Sequence, residues 1–155
     1  MAWLTACNNT NEQSVDPDEE SIRSLLDSLK TDTLVISVEN VGCEPLLNEE
    51  LNFFKVNCSL YAELAIVSSD KKTLKQLISP LTNESFIAYR KFETEGKRFK
   101  NDGPPSTLKT TYKILLKSDT IIFEDYRQQF DFYWQLKKAI FGVQTIENLR
   151  REVYR

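Results

Sequence analysis

Apolar residues recur at every second position from Phe54 to Ile66, namely Phe54, Val56, Cys58, Leu60, Ala62, Leu64 and Ile66. Lys55, Asn57, Ser59, Tyr61 and Glu63 fall between them. Successive side chains of a strand point to opposite sides, whereas a helix would scatter this set around its surface. A period of two held for so long therefore predicts one long central strand across residues 52–67, with a bulge near Asn57 or Tyr61 as its one irregularity.

The remaining patterns arrange themselves around that strand. Asp16-Pro17-Asp18-Glu19 has the chemistry of a helix start, with a capping acid, proline in the first helical position and an acid three residues after the cap. Ile22, Leu25, Leu26 and Leu29 then form a helical stripe, which predicts a helix over about residues 17–30 lying on a sheet. The β-rich run Thr33 to Glu39 predicts a strand, and residues 40–50, with Gly42 and Pro45, a loop or short turn. Ser69-Asp70 followed by Leu74, Leu77 and Ile78 predicts a short helix stopped by Pro80. Residues 84–95 carry mixed signals, since Phe86 and Ala88 alternate with Ile87 and Tyr89 while Tyr89 and Phe92 are three apart. A strand through Phe92 is the expectation there.

Asn101-Asp102-Gly103-Pro104-Pro105 cannot continue a ladder and reads as a surface connection. Leu108, Thr110, Tyr112, Ile114 and Leu116 share one face of a strand that turns at Lys117-Ser118-Asp119 into Thr120-Ile121-Ile122-Phe123, a hairpin. A helix is predicted from Glu124 or Asp125 to about Phe141, with Phe130, Tyr133, Trp134, Lys137, Ile140 and Phe141 as its stripe and Gly142 as its end. A final helix capped by Thr145 would turn Ile146, Leu149 and Val153 inward and Arg150, Arg151 and Arg155 outward. The whole reads as an α+β domain: a twisted, mostly antiparallel sheet of four to five strands with an N-terminal helix and two C-terminal helices. Residues 1–15 are read as a flexible tail and 16–155 as one globular domain, a length that can bury a core without disulfides or metal.

Composition narrows the chemistry. Histidine is absent, which removes Ser-His-Asp triads, Cys-His pairs and histidine-rich metal sites. Cys7, Cys43 and Cys58 form no CxxC, so neither a metal site nor a cofactor is expected, and an odd count without a framework favours a reducing compartment. No apolar run approaches the roughly 18 residues of a membrane span. Neither a phosphate-cradling glycine loop nor a GxSxG elbow occurs. Glu93 and Glu95, or Glu124 and Asp125, are the carboxylates left for an enzyme without histidine, and a capping role explains Asp125 equally well. Three Asn-x-Ser/Thr sequons, at Asn8, Asn57 and Asn83, do not by themselves place the chain outside the cell.

The net charge of −3 conceals an asymmetry: residues 1–50 carry eleven acids against Arg23 and Lys30, a balance of −9, and residues 51–155 a balance of +6. The basic share is densest in Arg90, Lys91, Lys97, Arg98 and Lys100, beside Phe92 and Phe99, with Lys109 and Lys113 on the following strand. Basic side chains contact phosphates or acidic surfaces, and exposed rings stack on unpaired bases. The leading expectation is a non-catalytic protein-interaction or scaffolding module, cytoplasmic or nuclear. It would bind another protein, or itself, through that segment and through Ile146, Leu149, Arg150 and Val153 of the last helix. A nucleic-acid- or phosphate-binding domain is an alternative, and an enzyme another. Leu4-Thr5-Ala6-Cys7 resembles the end of a bacterial lipoprotein signal, in which the cysteine receives lipid, although no basic start and apolar stretch precede it. That four-residue resemblance implies a membrane-anchored lipoprotein with a truncated leader and Cys7 as its anchor.

Overall fold

The computed structural model describes residues 33–42, 47–57, 59–101, 105–115 and 120–153. Its elements are β1 (Thr33–Val41), β2 (Asn48–Val56), β3 (Ser59–Val67), β4 (Thr73–Pro80), α1 (Asn83–Arg98), β5 (Lys109–Leu115), β6 (Thr120–Asp125), α2 (Phe132–Phe141) and α3 (Val143–Val153). The six strands form one sheet in the order β4-β3-β2-β1-β5-β6, every neighbouring pair antiparallel. The expected α+β architecture with an antiparallel sheet and two C-terminal helices is present, with six strands rather than four or five. The expected tail 1–15, the helix expected over 17–30, and Cys7, Cys43 and Cys58 lie outside the described residues.

The run expected as one long strand is a hairpin. Val56 pairs with Ser59 and Asn48 with Val67, so only two residues separate β2 from β3. Asn57 takes φ of 55°, the left-handed conformation that asparagine tolerates better than most residues. In this register partners have opposite parity: Leu51 faces Leu64 and Phe53 faces Ala62. The buried face is therefore odd-numbered in β2 and even-numbered in β3, and Phe54 and Val56 belong to the outer face.

Two further expectations are corrected by tertiary pairing. Residues 73–80 form an edge strand, not a helix, because β3 needs a hydrogen-bonding partner along its second edge. The cap-like chemistry before it closes the β3–β4 turn instead: Ser68 N donates to Lys72 O at 3.0 Å, Ser68 Oγ bonds Asp70, and Lys71 takes φ of 64°. Residues 83–98 form a helix rather than a strand. Thr82 and Ser85 cap it reciprocally, and Phe86, Tyr89, Phe92 and Gly96 make one buried stripe at helical spacing.

The β5–β6 hairpin matches expectation. The helix expected from 124 or 125 begins at Phe132, since Asp125 ends β6 and folds the loop after it. Its end at Gly142, with φ of 77°, is as expected.

All three described helices pack on one face of the sheet. Leu34, Ile36 and Val38, with Leu51, Phe53, Leu64, Tyr112 and Ile114, meet Phe86, Tyr89 and Phe92 of α1, Tyr133, Leu136 and Ile140 of α2, and Leu149 of α3. Aromatic rings dominate one part of this core, where Phe92, Tyr112, Phe123, Phe130 and Tyr133 pack edge-to-face, tilted or stacked. Ser79 Oγ donates to Ile140 O at 3.0 Å, and Lys75 pairs with Glu152 at 3.2 Å, tying the edge strand to α2 and α3.

Candidate functional site

A cleft of about 510 Å³ opens where the helices meet one end of the sheet. Its floor comes from the end of β1 and the start of β2 and β5, through Val38, Asn40, Leu47, Glu49, Thr110 and Tyr112. The loop before α2 supplies Gln128, Phe130 and Asp131, α2 supplies Tyr133, Trp134 and Lys137, and α3 supplies Arg150 and Val153.

The floor is built by side chains that hold one another. Asn40 Nδ2 donates to Leu47 O at 2.8 Å, Asn40 N donates to Asn48 Oδ1 at 3.0 Å, and Thr110 Oγ1 donates to Asn40 Oδ1 at 2.9 Å. The loop is ordered by Asp125, whose carboxylate accepts from the backbone amides of Arg127 at 3.1 Å, Gln129 at 3.1 Å and Phe130 at 2.8 Å. Asn101, three residues past the end of α1, clamps the same loop, with Oδ1 accepting from Tyr126 N and Nδ2 donating to Glu124 O. These contacts aim Phe130 into the core and place Asp131 at the rim.

The back wall is charged. Lys137 is only 2% exposed, and its ammonium donates to Glu49 Oε2 at 2.6 Å. Burial lowers the Lys137 pKa, Glu49 opposes that shift, and the nearby Arg150 charge adds to it. The same ammonium lies 4.6 Å from the Tyr133 ring centroid and 5.8 Å from that of Trp134. Arg150 sits over Trp134 at 5.3 Å and, among the described residues, has no carboxylate partner.

Tyr133 is buried and its hydroxyl has no hydrogen-bond partner of normal geometry. Burial holds its pKa well above the ordinary tyrosine value, and the charge of Glu49 and a loose hydrogen bond toward its carboxylate work in the same direction. A phenol kept protonated is a donor, and the acceptor within its reach is the Glu49 carboxylate. Among the described residues no group of histidine, cysteine, aspartate and glutamate side chains could hold a metal ion. The cleft brings together two cations, Lys137 and Arg150, two carboxylates, Glu49 and Asp131, and the aromatic faces of Tyr112, Phe130, Tyr133 and Trp134.

The residues expected to form a basic binding segment are dispersed. Phe92 is in the core at 0% exposure, and Phe99 is half-buried against Phe123 and Phe130. Neither ring is free to stack on a base. Lys97 pairs with Glu93 along α1, Lys91 lies 5.1 Å from the Phe132 ring, and Arg90, Arg98 and Lys100 are exposed. Lys109 and Lys113 stand on the outer face of the sheet, away from α1, paired with Glu124 at 2.8 Å and Glu39 at 2.7 Å. Ile146 and Leu149 are buried, and Val153 is half-buried at the cleft.

Of the candidates, Arg150 and Val153 alone reach the cleft. Tyr133, Trp134 and Lys137 stood on the expected stripe of α2, where a lysine among aromatic residues was the one available signal. Glu49 had none, because nothing in its surroundings announces a partner on α2. Among the described residues no helix is long and apolar enough to cross a membrane. No protein-family model matches the sequence, and comparison with curated proteins and with solved structures finds no match.

Proposed function

We propose that this chain is a non-catalytic binding module whose cleft beneath α2 and α3 takes a small organic molecule. The observation that carries this reading is a cleft of about 510 Å³ walled by the buried Lys137–Glu49 pair, by Arg150 and by the rings of Tyr133 and Trp134. A volume of this order suits a ligand of metabolite size, and mixed apolar and polar lining is the usual character of such sites. The basic segment supports a partner surface less, since Lys97, Lys109 and Lys113 already have acidic partners. The test is a ligand-observed NMR screen of small organic molecules against the full chain and against Val153→Trp, which fills the cleft mouth. Ligands lost in the variant support the reading, and a screen in which no ligand is sensitive to it removes the site.

A second reading keeps protein binding and makes the partner another copy of this chain. It is supported by Ile78, Leu115 and Ile122, which are 58%, 42% and 58% exposed on the face of the sheet turned away from the described helices. Sedimentation velocity over a hundredfold concentration range tests it. Self-association abolished by Ile122→Glu supports this reading, and a monomer throughout ends it.

A further inference from the structure

We propose that β6 is an interaction edge, along which a second copy of this chain adds its own β6 antiparallel and continues the sheet. This rests on the self-association reading and names the edge of the sheet, rather than its outer face, as the interface.

Among the described residues the sheet ends in β4 on one side and β6 on the other, and the two edges are built differently. β4 carries Lys75 and ends at Pro80, which has no N–H, and a register shift at Ile66/Val67 interrupts its ladder. Ser79 and Lys75 also tether it to α2 and α3. Lysine, proline and irregular pairing are the means by which natural edge strands discourage a further strand. β6 reads Thr-Ile-Ile-Phe-Glu-Asp, with no lysine, proline or register shift.

Asn101 shows which backbone groups of β6 face outward. Its Oδ1 accepts from Tyr126 N at 3.0 Å and its Nδ2 donates to Glu124 O. A carbonyl and the amide two residues on point the same way from a strand, and a residue of a neighbouring strand would bind both. The Asn101 side chain takes that place beside Asp125, so the even-numbered residues turn their backbone groups away from β5. One step back, the Ile122 carbonyl and the Glu124 amide form the same outward pair, and among the described residues nothing fills it.

A two-fold axis perpendicular to the sheet sets two copies of β6 antiparallel with their helices on the same side. Centred on Ile122, this register places Ile122 of one copy opposite Ile122 of the other, and the two exchange both N–H···O bonds. Ile122 is 58% exposed on the outer face, and pairing gives it an apolar cross-strand neighbour. Glu124 falls opposite Thr120, so no acid meets an acid. Centring on Phe123 instead would set Ile122 against Glu124.

The test is sedimentation velocity of the full chain over a hundredfold concentration range reaching about 1 mM, because so short an edge makes a small interface. Amide hydrogen exchange by NMR at both ends of that range locates the contact. A dimer is expected in which the Ile122 amide slows several-fold on association while the Phe123 amide, already turned toward β5, is unchanged. Ile122→Pro removes the outward N–H without taking a bond from the β5 ladder, and Ile122→Lys places a guard charge on the edge. Both are expected to be monomers with the circular-dichroism spectrum of wild type, and Ile78→Glu, on the opposite edge, to remain a dimer. A dimer that persists in Ile122→Lys overturns β6 as the interface. A dimer lost in Ile78→Glu, its Ile122 amide exchanging freely, overturns the edge and leaves contact through the outer face. A monomer at every concentration overturns both.

Discussion

Lys137 Nζ lies 2.6 Å from Glu49 Oε2, joining side chains 88 residues apart in sequence that are both withdrawn from solvent. Removing one partner of a buried pair leaves the other charge uncompensated, which costs more than the pair itself contributes. Lys137→Met is therefore expected to lower stability by about 3–5 kcal/mol, and Lys137→Met with Glu49→Gln to recover most of that loss. Urea denaturation of the four-member cycle measures the coupling. A double variant no more stable than Lys137→Met would mean the pair does not act as a unit.

Alkaline stability follows from the buried phenols. Tyr89, Tyr112 and Tyr133 are each raised above the tyrosine value of 10.0, with burial the largest cause in every case. Above pH 10 the unfolded chain loses these protons while the folded one keeps them, so stability present below that pH is lost as pH rises. Lys137, lowered from 10.5, acts oppositely: between its folded value and 10.5 the unfolded chain binds the extra proton, so this group makes stability rise with pH. The urea midpoint is expected to hold or climb slightly toward pH 10 and then fall steeply. Tyr133→Phe should make that fall shallower by about one proton in the linkage slope.

Asp125 holds the loop that forms one side of the cleft by accepting from three backbone amides. Asp125→Ala leaves those amides without their acceptor and is expected to cost about 2–4 kcal/mol. Asp125→Asn keeps one acceptor oxygen and should fall between the two. Chemical denaturation ranks the three proteins, and an alanine variant as stable as wild type would show that the loop holds without the carboxylate.

Gly96 presses against Phe123: a Cβ added there would stand 2.6 Å from Phe123 Cε1 and 2.9 Å from Cζ. Alanine gains about 1 kcal/mol of helix propensity over glycine. Overpacking a ring already fixed among Phe92, Phe99, Tyr112 and Phe130 costs about 1–3 kcal/mol. The clash wins, and Gly96→Ala is expected to be less stable by about 1 kcal/mol. Adding Phe123→Leu should make the alanine neutral or favourable, a non-additivity read from thermal unfolding.

The elements legible in the sequence are those whose local pattern had one solution. Leu34, Ile36 and Val38 alternate and form β1, the β5–β6 hairpin sits where its turn chemistry placed it, and Gly142 ends α2. Tertiary structure decided the rest, because a pattern records only which side chains are apolar. The alternation through 54–66 holds equally for one strand and for two strands folded at Asn57, and the turn chooses which face of each strand is buried. Leu74 and Leu77 carry a helical spacing, yet the open edge of β3 claims them as strand. The cleft was the least legible part. Its charges meet only after β2, α2 and α3 have packed, and a Glu49–Lys137 contact depends on the shape of the folded core rather than on spacing along the chain.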